Sequence, residues 1–230
     1  MKQLAKSLVI AGALAVAGSA VADFGDINPY IGADLSATRM KAAGPYSSIA
    51  PKSFPGASLY VGAKFHENFG LEAGYNWTKT KSTTVNIPAN FDGARVAPYS
   101  TVQNGANVKL RRNSSFVDVV GFLPVMDCVE LTGSVGYGYV MPKLSMKTAA
   151  GAAITGYDLK NQSVVRLGLG ANYMVTDMVG VRAKLGWEST GATQFKKTQN
   201  HQNVMAASGA QTKRPLKDST SLNIGAFVKF

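Results

Sequence analysis

Side chains able to perform covalent or acid–base chemistry are scarce in this 230-residue sequence, which contains two histidines and one cysteine. His201 shares a polar segment with Ser208 and Asp218. A histidine with a serine and a carboxylate is the set that nucleophilic hydrolysis uses. General-base catalysis demands rigid geometry, however, and this segment has no strand pattern to supply it. We therefore expect no catalytic role for His201, and a hydrolytic triad is the disfavoured alternative.

The remaining candidates, His66 and Cys128, stand beside short turns in the sequence. No base lies near Cys128 to activate its thiol, so we interpret it as a small turn residue rather than a nucleophile. We interpret His66 as a solvated turn residue. One cysteine and two distant histidines cannot form a closed metal site, and one cysteine cannot form an internal disulfide. The sequence therefore predicts no enzyme activity, no metal and no other cofactor.

The N-terminus has the three parts of a secretory signal peptide. Lys2 and Lys6 precede an apolar run over residues 8–17, and Ala20 and Ala22 form a small-x-small cleavage motif. This run is too short to span a bilayer. We expect cleavage after Ala22, which leaves residues 23–230 as one domain. A lipid anchor would need a cysteine at the cleavage site, and none stands there.

From residue 30 onward, apolar residues alternate with polar residues or glycine in eight segments, which is the pattern of half-buried strands. No further apolar run approaches the ~20 residues of a membrane helix, so a membrane span would have to be built from strands. Short turns alternate with long polar segments. The turns lie near residues 66–68, 124–127 and 175–178, and the long segments cover about 40–56, 80–108, 142–160 and 189–218. This plan predicts an all-β, eight-stranded antiparallel up-and-down transmembrane β-barrel.

The apolar side of the predicted strands carries aromatic residues at its two ends. These candidate girdle residues are Phe65, Phe69, Trp77, Trp187 and Phe230. A soluble sandwich also alternates, but its outer side is polar. About nine residues at ~3.3 Å rise and ~40° tilt span roughly 23 Å, close to the apolar band of an outer membrane. The pattern therefore favours a barrel in the membrane.

The other side of the strands carries glycine together with five acids and five bases. These candidate interior residues are Asp34, Lys64, Glu72, Asp118, Glu130, Arg166, Arg182, Lys184, Glu188 and Lys229. Eight strands enclose only enough space for side chains. Enclosed charges are costly unless they are paired, so the balanced set predicts a salt-bridged plug. A narrow or gated channel remains the alternative.

The last strand resembles the insertion signal of outer-membrane barrels, because its apolar residues alternate up to a terminal phenylalanine. The residues in those places are Leu222, Ile224, Ala226, Val228 and Phe230. Residues 60–75 and 119–125 are similar to the second hairpin and middle turn of small barrels of the OmpA transmembrane and opacity-protein type. The resemblance implies a bacterial outer-membrane location, with both termini periplasmic and the long loops extracellular. It also implies the barrel assembly machinery and periplasmic chaperones as partners.

The resemblance also limits the functions to be expected. Some barrels of this size modify lipid A with a histidine, a serine and a carboxylate, so a lipid A-modifying enzyme is the least favoured alternative. The periplasmic peptidoglycan-binding domain of full-length OmpA proteins is not expected, since the last predicted strand reaches residue 230.

The net charge of the chain is +11, and without residues 1–22 it is +9. Export argues against nucleic acid as the partner of this basic protein. Together with Lys79, the long segments hold 13 bases against 3 acids and so account for the excess. Their lysines suit the phosphates of outer-membrane lipids such as lipopolysaccharide, or an anionic host surface or matrix. The alternative to a binding role is that the charged loops only keep the rim of the barrel soluble.

We therefore expect a non-enzymatic surface barrel that supports the membrane and presents basic loops for adhesion or recognition. A narrow porin-like channel or a small-molecule transporter is the alternative.

Overall fold

The computed structural model describes residues 27–42, 52–87, 103–151, 153–154, 159–190 and 216–230. They form ten antiparallel strands in a single sheet. The strands are β1 (Asn28–Ala42), β2 (Ser53–His66), β3 (Phe69–Thr78), β4 (Lys81–Ile87), β5 (Gln103–Met126), β6 (Val129–Lys147), β7 (Ala153–Ile154), β8 (Gln162–Met174), β9 (Val179–Thr190) and β10 (Leu216–Lys229). Within these residues, no helix is long and apolar enough to cross a membrane.

Eight of the strands close into a ring. The hydrogen-bonded order is β1–β2–β3–β5–β6–β8–β9–β10, and β10 pairs back with β1. The two short strands stay outside this ring, since β4 pairs with the first half of β5 and β7 pairs with the end of β6. Closure satisfies the backbone of every barrel strand on both edges. The predicted eight-stranded up-and-down barrel is confirmed.

All four segments that were predicted to be long loops include strand residues, and the second and third differ most from the prediction. β4 occupies 81–87, β5 begins at Gln103 and β6 continues to Lys147. The inward residues Val108 and Leu110 are fully buried in the first half of β5, whereas the outward residues of that half are polar. The expectation was wrong because it relied on an outward apolar set, which only the part of a strand facing lipid requires. The β5–β6 hairpin therefore extends beyond the apolar band.

The three short turns lie at the end of the barrel that also holds residues 28 and 230. They are residues 67–68, 127–128 and 175–178. Pro124 was expected in the second turn but lies inside β5 opposite Glu130, beside a register irregularity between Pro124 and Met126. Proline has no N–H to donate and is tolerated at such irregularities. We call this end of the barrel the turn end and the opposite end the loop end.

The outer surface of the ring is apolar, whereas the inner surface holds most of the buried polar residues. Leu35 and Leu169 are 74% and 73% exposed, and large apolar side chains project outward from all eight barrel strands. A continuous apolar surface of this kind is far larger than soluble monomers expose. The inside-out distribution excludes the soluble sandwich and requires apolar surroundings.

A layer of aromatic residues fills the interior near the turn end. Its members are Tyr30, Tyr60, Phe116, Val120, Phe122 and Phe227. Tyr60 stands directly opposite Gly32, and Tyr30 stands directly opposite Gly62. A Cβ on either glycine would collide with the facing tyrosine ring. The glycines thus leave space for the rings. This layer was not predicted, because the inward side of the strands was expected to carry only glycine and charged residues.

A second apolar layer lies inside the barrel near the loop end. Its buried members include Met40, Phe54, Val108, Leu110, Val140 and Val164. Along β5 the inward positions pass from Phe122 through Asp118 and Arg112 to Leu110. On β5, Asp118 and Arg112 therefore have buried apolar residues on both sides along the strand, which keeps them away from water.

Candidate functional site

Eight charged side chains inside the barrel form one continuous chain of ion pairs in which acid and base alternate. Their order is Asp34, Arg182, Glu72, Lys184, Asp118, Arg166, Glu188 and Arg112. The chain joins β1, β3, β5, β8 and β9 across the lumen. Pairing of this kind offsets the desolvation of each enclosed charge.

Arg182 on β9 holds the first two carboxylates of the chain. Its Nη2 lies 2.6 Å from Asp34 Oδ2, its Nε lies 2.9 Å from Asp34 Oδ1, and its Nη1 lies 2.6 Å from Glu72 Oε2. The guanidinium carbon also stacks 3.3 Å from the centre of the Tyr60 ring. A planar fork with five donors suits two carboxylates and an aromatic face at once. Tyr30 adds a hydroxyl that donates to Glu72 Oε2 at 3.4 Å.

Lys184 and Arg166 continue the chain through Asp118. Lys184 Nζ lies 3.6 Å from Glu72 Oε1 and 3.2 Å from Asp118 Oδ2, and Arg166 Nε lies 3.1 Å from Asp118 Oδ1. Arg166 also pairs with Glu188 and stacks 4.1 Å above the Phe116 ring, which belongs to the aromatic layer. Each of the two bases therefore bridges two carboxylates.

Arg112 ends the chain at Glu188 and was not among the predicted interior residues. Its side chain is 4% exposed, and Ser219 Oγ donates to the same carboxylate at 3.2 Å. The start of this strand was predicted too late in the sequence, although Arg112 faces the same side of the strand as Phe116 and Asp118. With Arg112 the described interior holds six bases and five acids, so the expected balance of five and five was wrong by one base.

A separate pair, Lys64 with Glu130, lies nearer the turn end. Asn172 Nδ2 donates to Glu130 Oε2 at 3.4 Å, and Lys64 Nζ lies 4.1 Å from the centre of the Phe122 ring. Lys229 is the one predicted interior charge with no ion pair among the described residues. Its Nζ lies 5.8 Å from the centre of the Phe227 ring. The structure thus brings nine of the ten predicted charges into pairs.

The space left among these side chains is small. A cavity of about 20 Å³ lies between the aromatic layer and the charges, with Tyr30, Lys64, Glu72, Arg182 and Lys229 in its wall. That volume is enough for about one water molecule. Around this cavity, the described side chains therefore leave space for little more than a single water molecule.

Comparison with known proteins agrees with this geometry. Residues 8–183 match the model of the outer membrane protein beta-barrel domain. The chain therefore belongs to this outer-membrane barrel family. No curated protein matches the sequence.

Three solved outer-membrane barrels resemble the fold at low sequence identity. Ail of Yersinia pestis, solved with the heparin analogue sucrose octasulfate, has 12% identity and a TM-score of 0.50 over 89% of this chain and 99% of its own. OprG of Pseudomonas aeruginosa has 10% identity and a TM-score of 0.52 over 88% and 95%. A major outer membrane protein of Thermus thermophilus has 13% identity and a TM-score of 0.54 over 89% and 99%. At these identities the likeness concerns the fold, and the barrel is a bacterial outer-membrane protein by its family.

The five predicted girdle residues all project outward and are exposed. Phe65 and Phe69 flank the first turn, and Phe230 follows β10 at the same end. Trp77 and Trp187 lie near the loop ends of β3 and β9. The two groups thus stand at opposite ends of the apolar surface, where aromatic side chains suit the boundary between lipid and water.

The predicted assembly residues occupy one side of β10. Leu222, Ile224 and Ala226 are exposed, Val228 is half-buried, and Phe230 is 70% exposed with its N–H donating to Pro29 O at 3.0 Å. Their recognition by the assembly machinery stays a prediction. The predicted cleavage residues Ala20 and Ala22 lie outside the described residues.

The candidates for catalysis do not come together in the described part of the barrel. Asp218 was expected in a loop but belongs to β10, while His201 and Ser208 lie outside the described residues. His66 is exposed at the first turn, where its Nδ1 accepts the Asn68 N–H at 3.2 Å. Cys128 is half-buried in the second turn. Among the described residues, no three His, Cys, Asp or Glu side chains are grouped as a metal site would require.

Charges outside the lumen are separated between the two ends of the barrel. Each short turn carries one acid, namely Glu67, Asp127 or Asp177. The loop end carries exposed bases, which among the described residues are Arg39, Lys41, Lys52, Lys79, Lys81, Lys109, Lys143, Lys147 and Lys160. We call these bases the basic rim. Asp218 is the one acid outside the lumen at that end in the described ranges.

Proposed function

We propose that this protein is a non-enzymatic, non-conducting surface barrel that supports the outer membrane and presents basic loops to anionic partners. The observation that carries the proposal is the combination of a filled lumen with a basic rim. A filled lumen leaves the loops as the part of the molecule that can meet a ligand, and loops on a rigid scaffold are where binding usually resides.

The separation of charge supports an orientation with the loop end outside the cell and both termini in the periplasm. The outer leaflet is rich in anionic lipopolysaccharide, which favours bases on that side. The acids of the three turns would be repelled by the same surface. Short turns inside and long connections outside are also the usual plan of outer-membrane barrels.

The anionic partner we propose is a sulfated or otherwise acidic polysaccharide of a host surface or matrix. Ail was solved with a sulfated sugar analogue, and here that compound serves only to suggest a probe, because the two chains share 12% identity. Clustered lysine and arginine side chains form charge-assisted hydrogen bonds with sulfate oxygens. Such binding should weaken steeply as salt is added.

Adhesion to heparin-coated surfaces tests the proposal, using cells that express the barrel and lack other adhesins. The test variant carries Arg39→Gln, Lys41→Gln and Lys52→Gln. We expect binding to fall with salt and to drop at least about threefold in the variant, since exposed charge pairs contribute about 0.2–1 kcal/mol each.

A control variant carries Glu67→Gln, Asp127→Asn and Asp177→Asn at the turn end and should bind as the unmodified barrel does. Salt-independent adhesion, or an equal loss in both variants, would contradict the proposed recognition of anionic polymers.

The second candidate is a narrow channel or small-molecule transporter, and it is favoured by Lys229, a lumen base with no ion pair among the described residues. Planar-bilayer recordings of refolded protein separate the candidates. We expect no conductance from the plugged barrel. Steady, ion-selective conductance steps would contradict the non-conducting barrel and support the channel. Mass spectrometry of lipid A from expressing cells should show unaltered lipid A, whereas a changed acylation pattern would establish an enzyme.

A further inference from the structure

The hairpin of β5 and β6 carries four bases on its outward side above the apolar band. Lys109 and Arg111 lie on β5, and Lys143 and Lys147 lie on β6. Arg111 and Lys143 stand directly opposite each other, and Lys109 stands opposite Ser145, between Lys143 and Lys147. Directly opposed side chains have Cβ atoms about 5 Å apart, and diagonal neighbours are about 7–8 Å apart. We call these four residues the β5–β6 basic face.

Like charges at this spacing repel and destabilise a strand pair unless a counter-charge is present. None of the four bases forms an ion pair with any residue that the structure describes. Neither β4 nor the parts of β5 and β6 above Val117 and Leu131 contain an acid. The hairpin itself therefore offers no compensating charge, which points to an external anion.

The basic face lies just above the apolar band, at the level where the headgroups of membrane lipids are found. Asn113 lies two residues below Arg111 on the same side of β5, and its Nδ2 donates to the Tyr75 hydroxyl at 3.1 Å. Tyr75 packs against Trp77 with ring centres 5.0 Å apart, at the aromatic boundary of the lipid. Two residues of strand rise by about 7 Å. Arg111 and Lys143 thus lie just above the boundary, at the level of lipid headgroups.

The outward residues below the boundary complete a surface for a lipid. Tyr139 stands opposite Ser115, and Tyr137 stands opposite Val117, so aromatic and apolar side chains continue the same side of the hairpin. Tyr137 and Val117 are more than half exposed. An amphipathic molecule lying along the hairpin would place its chains on these residues and its anionic group on the basic face.

We propose that the β5–β6 basic face binds the phosphate groups of lipid A, with the acyl chains along Val117 and Tyr137. The Arg111 fork can hold two phosphate oxygens at once, and the lysines add mobile charges on either side. This site shares the outward orientation of the loop end with the proposed function but does not require a host partner. Two of its members, Lys109 and Arg111, were outside the loops that the sequence analysis considered.

The test measures binding of lipid A to the purified, refolded full-length barrel in detergent by fluorescence titration. The test variant carries Lys109→Gln, Arg111→Gln and Lys143→Gln. Its matched control carries Arg39→Gln, Lys41→Gln and Lys52→Gln, which removes the same charge elsewhere on the loop end. Heat-modifiable mobility verifies that each variant is folded.

We expect the test variant to bind lipid A at least about tenfold more weakly, which corresponds to about 1.4 kcal/mol. The control should stay within about threefold of the unmodified barrel, an allowance of about 0.6 kcal/mol. Lipid A stripped of its phosphates should bind equally weakly to every form. An equal loss in the control variant, or undiminished binding of dephosphorylated lipid A, would overturn the site. Equally tight binding of a phosphorylated disaccharide without acyl chains would overturn the assignment to lipid.

The same two variants separate this site from the proposed function. The control variant of this experiment is the test variant of the adhesion assay, so failure of one assay leaves the other interpretable. Lost adhesion with intact lipid A binding supports loop recognition alone, and the reverse outcome supports the lipid site alone.

Discussion

The most direct test of the interior is the substitution Arg182→Met. The guanidinium group of Arg182, on β9, pairs with both Asp34 and Glu72. Methionine keeps the apolar part of the side chain but removes every donor. The change therefore leaves two acids in the lumen without their shared base, while the surrounding strands keep their backbone pairing.

The magnitude follows from what the two acids retain. The side chains of Asp34 and Glu72 are 1% and 3% exposed. Among the described residues, Asp34 keeps the Ser58 hydroxyl at 3.3 Å, whereas Glu72 keeps Lys184 at 3.6 Å and the Tyr30 hydroxyl at 3.4 Å. Removing one partner of a buried ion pair costs about 3–5 kcal/mol. We expect a loss of about 4 kcal/mol in the free energy of unfolding, or roughly a thousandfold in the equilibrium constant.

Urea titration of the refolded barrel in lipid vesicles measures this loss. Tryptophan fluorescence reports unfolding, because Trp77 and Trp187 both lie on the lipid-facing side. The matched control, Lys160→Met, removes an exposed base and should change stability by less than about 0.5 kcal/mol. Adding Asp34→Asn to Arg182→Met removes the unpaired negative charge of Asp34. This second substitution should recover at least about 1 kcal/mol of the free energy of unfolding.

A loss below about 1 kcal/mol for Arg182→Met would refute the reasoning. It would mean that water reaches Asp34 and Glu72 and hydrates them when the arginine is gone. The plug would then be a solvated set of side chains, and ion pairing would no longer be what closes the lumen.

Three further predictions concern other parts of the barrel. Lys64→Met should cost about 3 kcal/mol by stranding Glu130, and adding Glu130→Leu should restore most of it in the same urea titration. Gly62→Ala should lower the free energy of unfolding by about 1–3 kcal/mol because its Cβ collides with the Tyr30 ring. Adding Tyr30→Leu, which removes the ring, should recover part of that loss. Deleting Phe230 should reduce insertion in cells, seen as less heat-modifiable barrel in outer-membrane fractions, and an unchanged amount would count against an assembly role.

The barrel could be predicted from the sequence because a lipid-facing strand obeys a strict rule. Every second residue must be apolar over the thickness of the membrane, so the outward sets mark the strands without knowledge of any contact. The same parity placed Asp34, Arg166 and Lys184 in the lumen. Where a strand leaves the lipid the rule no longer applies, which is why β4 and the first half of β5 were missed.

The ion-pair partners inside the lumen could not be predicted from the sequence. The alternation of residues shows which side of a strand a side chain faces, but not where the side chain lies along the barrel axis. Asp34 and Arg182 lie 148 residues apart in sequence and meet because the ring closes between β10 and β1. The pairing register fixes which charges face each other, and it depends on strand ends, some of which were predicted several residues away from where they lie. Arg112 is an example, because it lies in the lumen only when β5 begins earlier in the sequence than predicted.

The two sets of charges in this barrel obey different conditions, and the difference bears on function. In the lumen, nearly every base is matched by an acid because an unpaired enclosed charge is costly. On the rim, water removes that cost, and mixed signs would keep the loop end soluble as well as one sign does. Solubility alone therefore does not explain why the described rim holds bases with Asp218 as its single acid. A uniform sign lowers the energy of the barrel only where negative charge is supplied from outside, as it is at an anionic lipid surface or beside an acidic polymer.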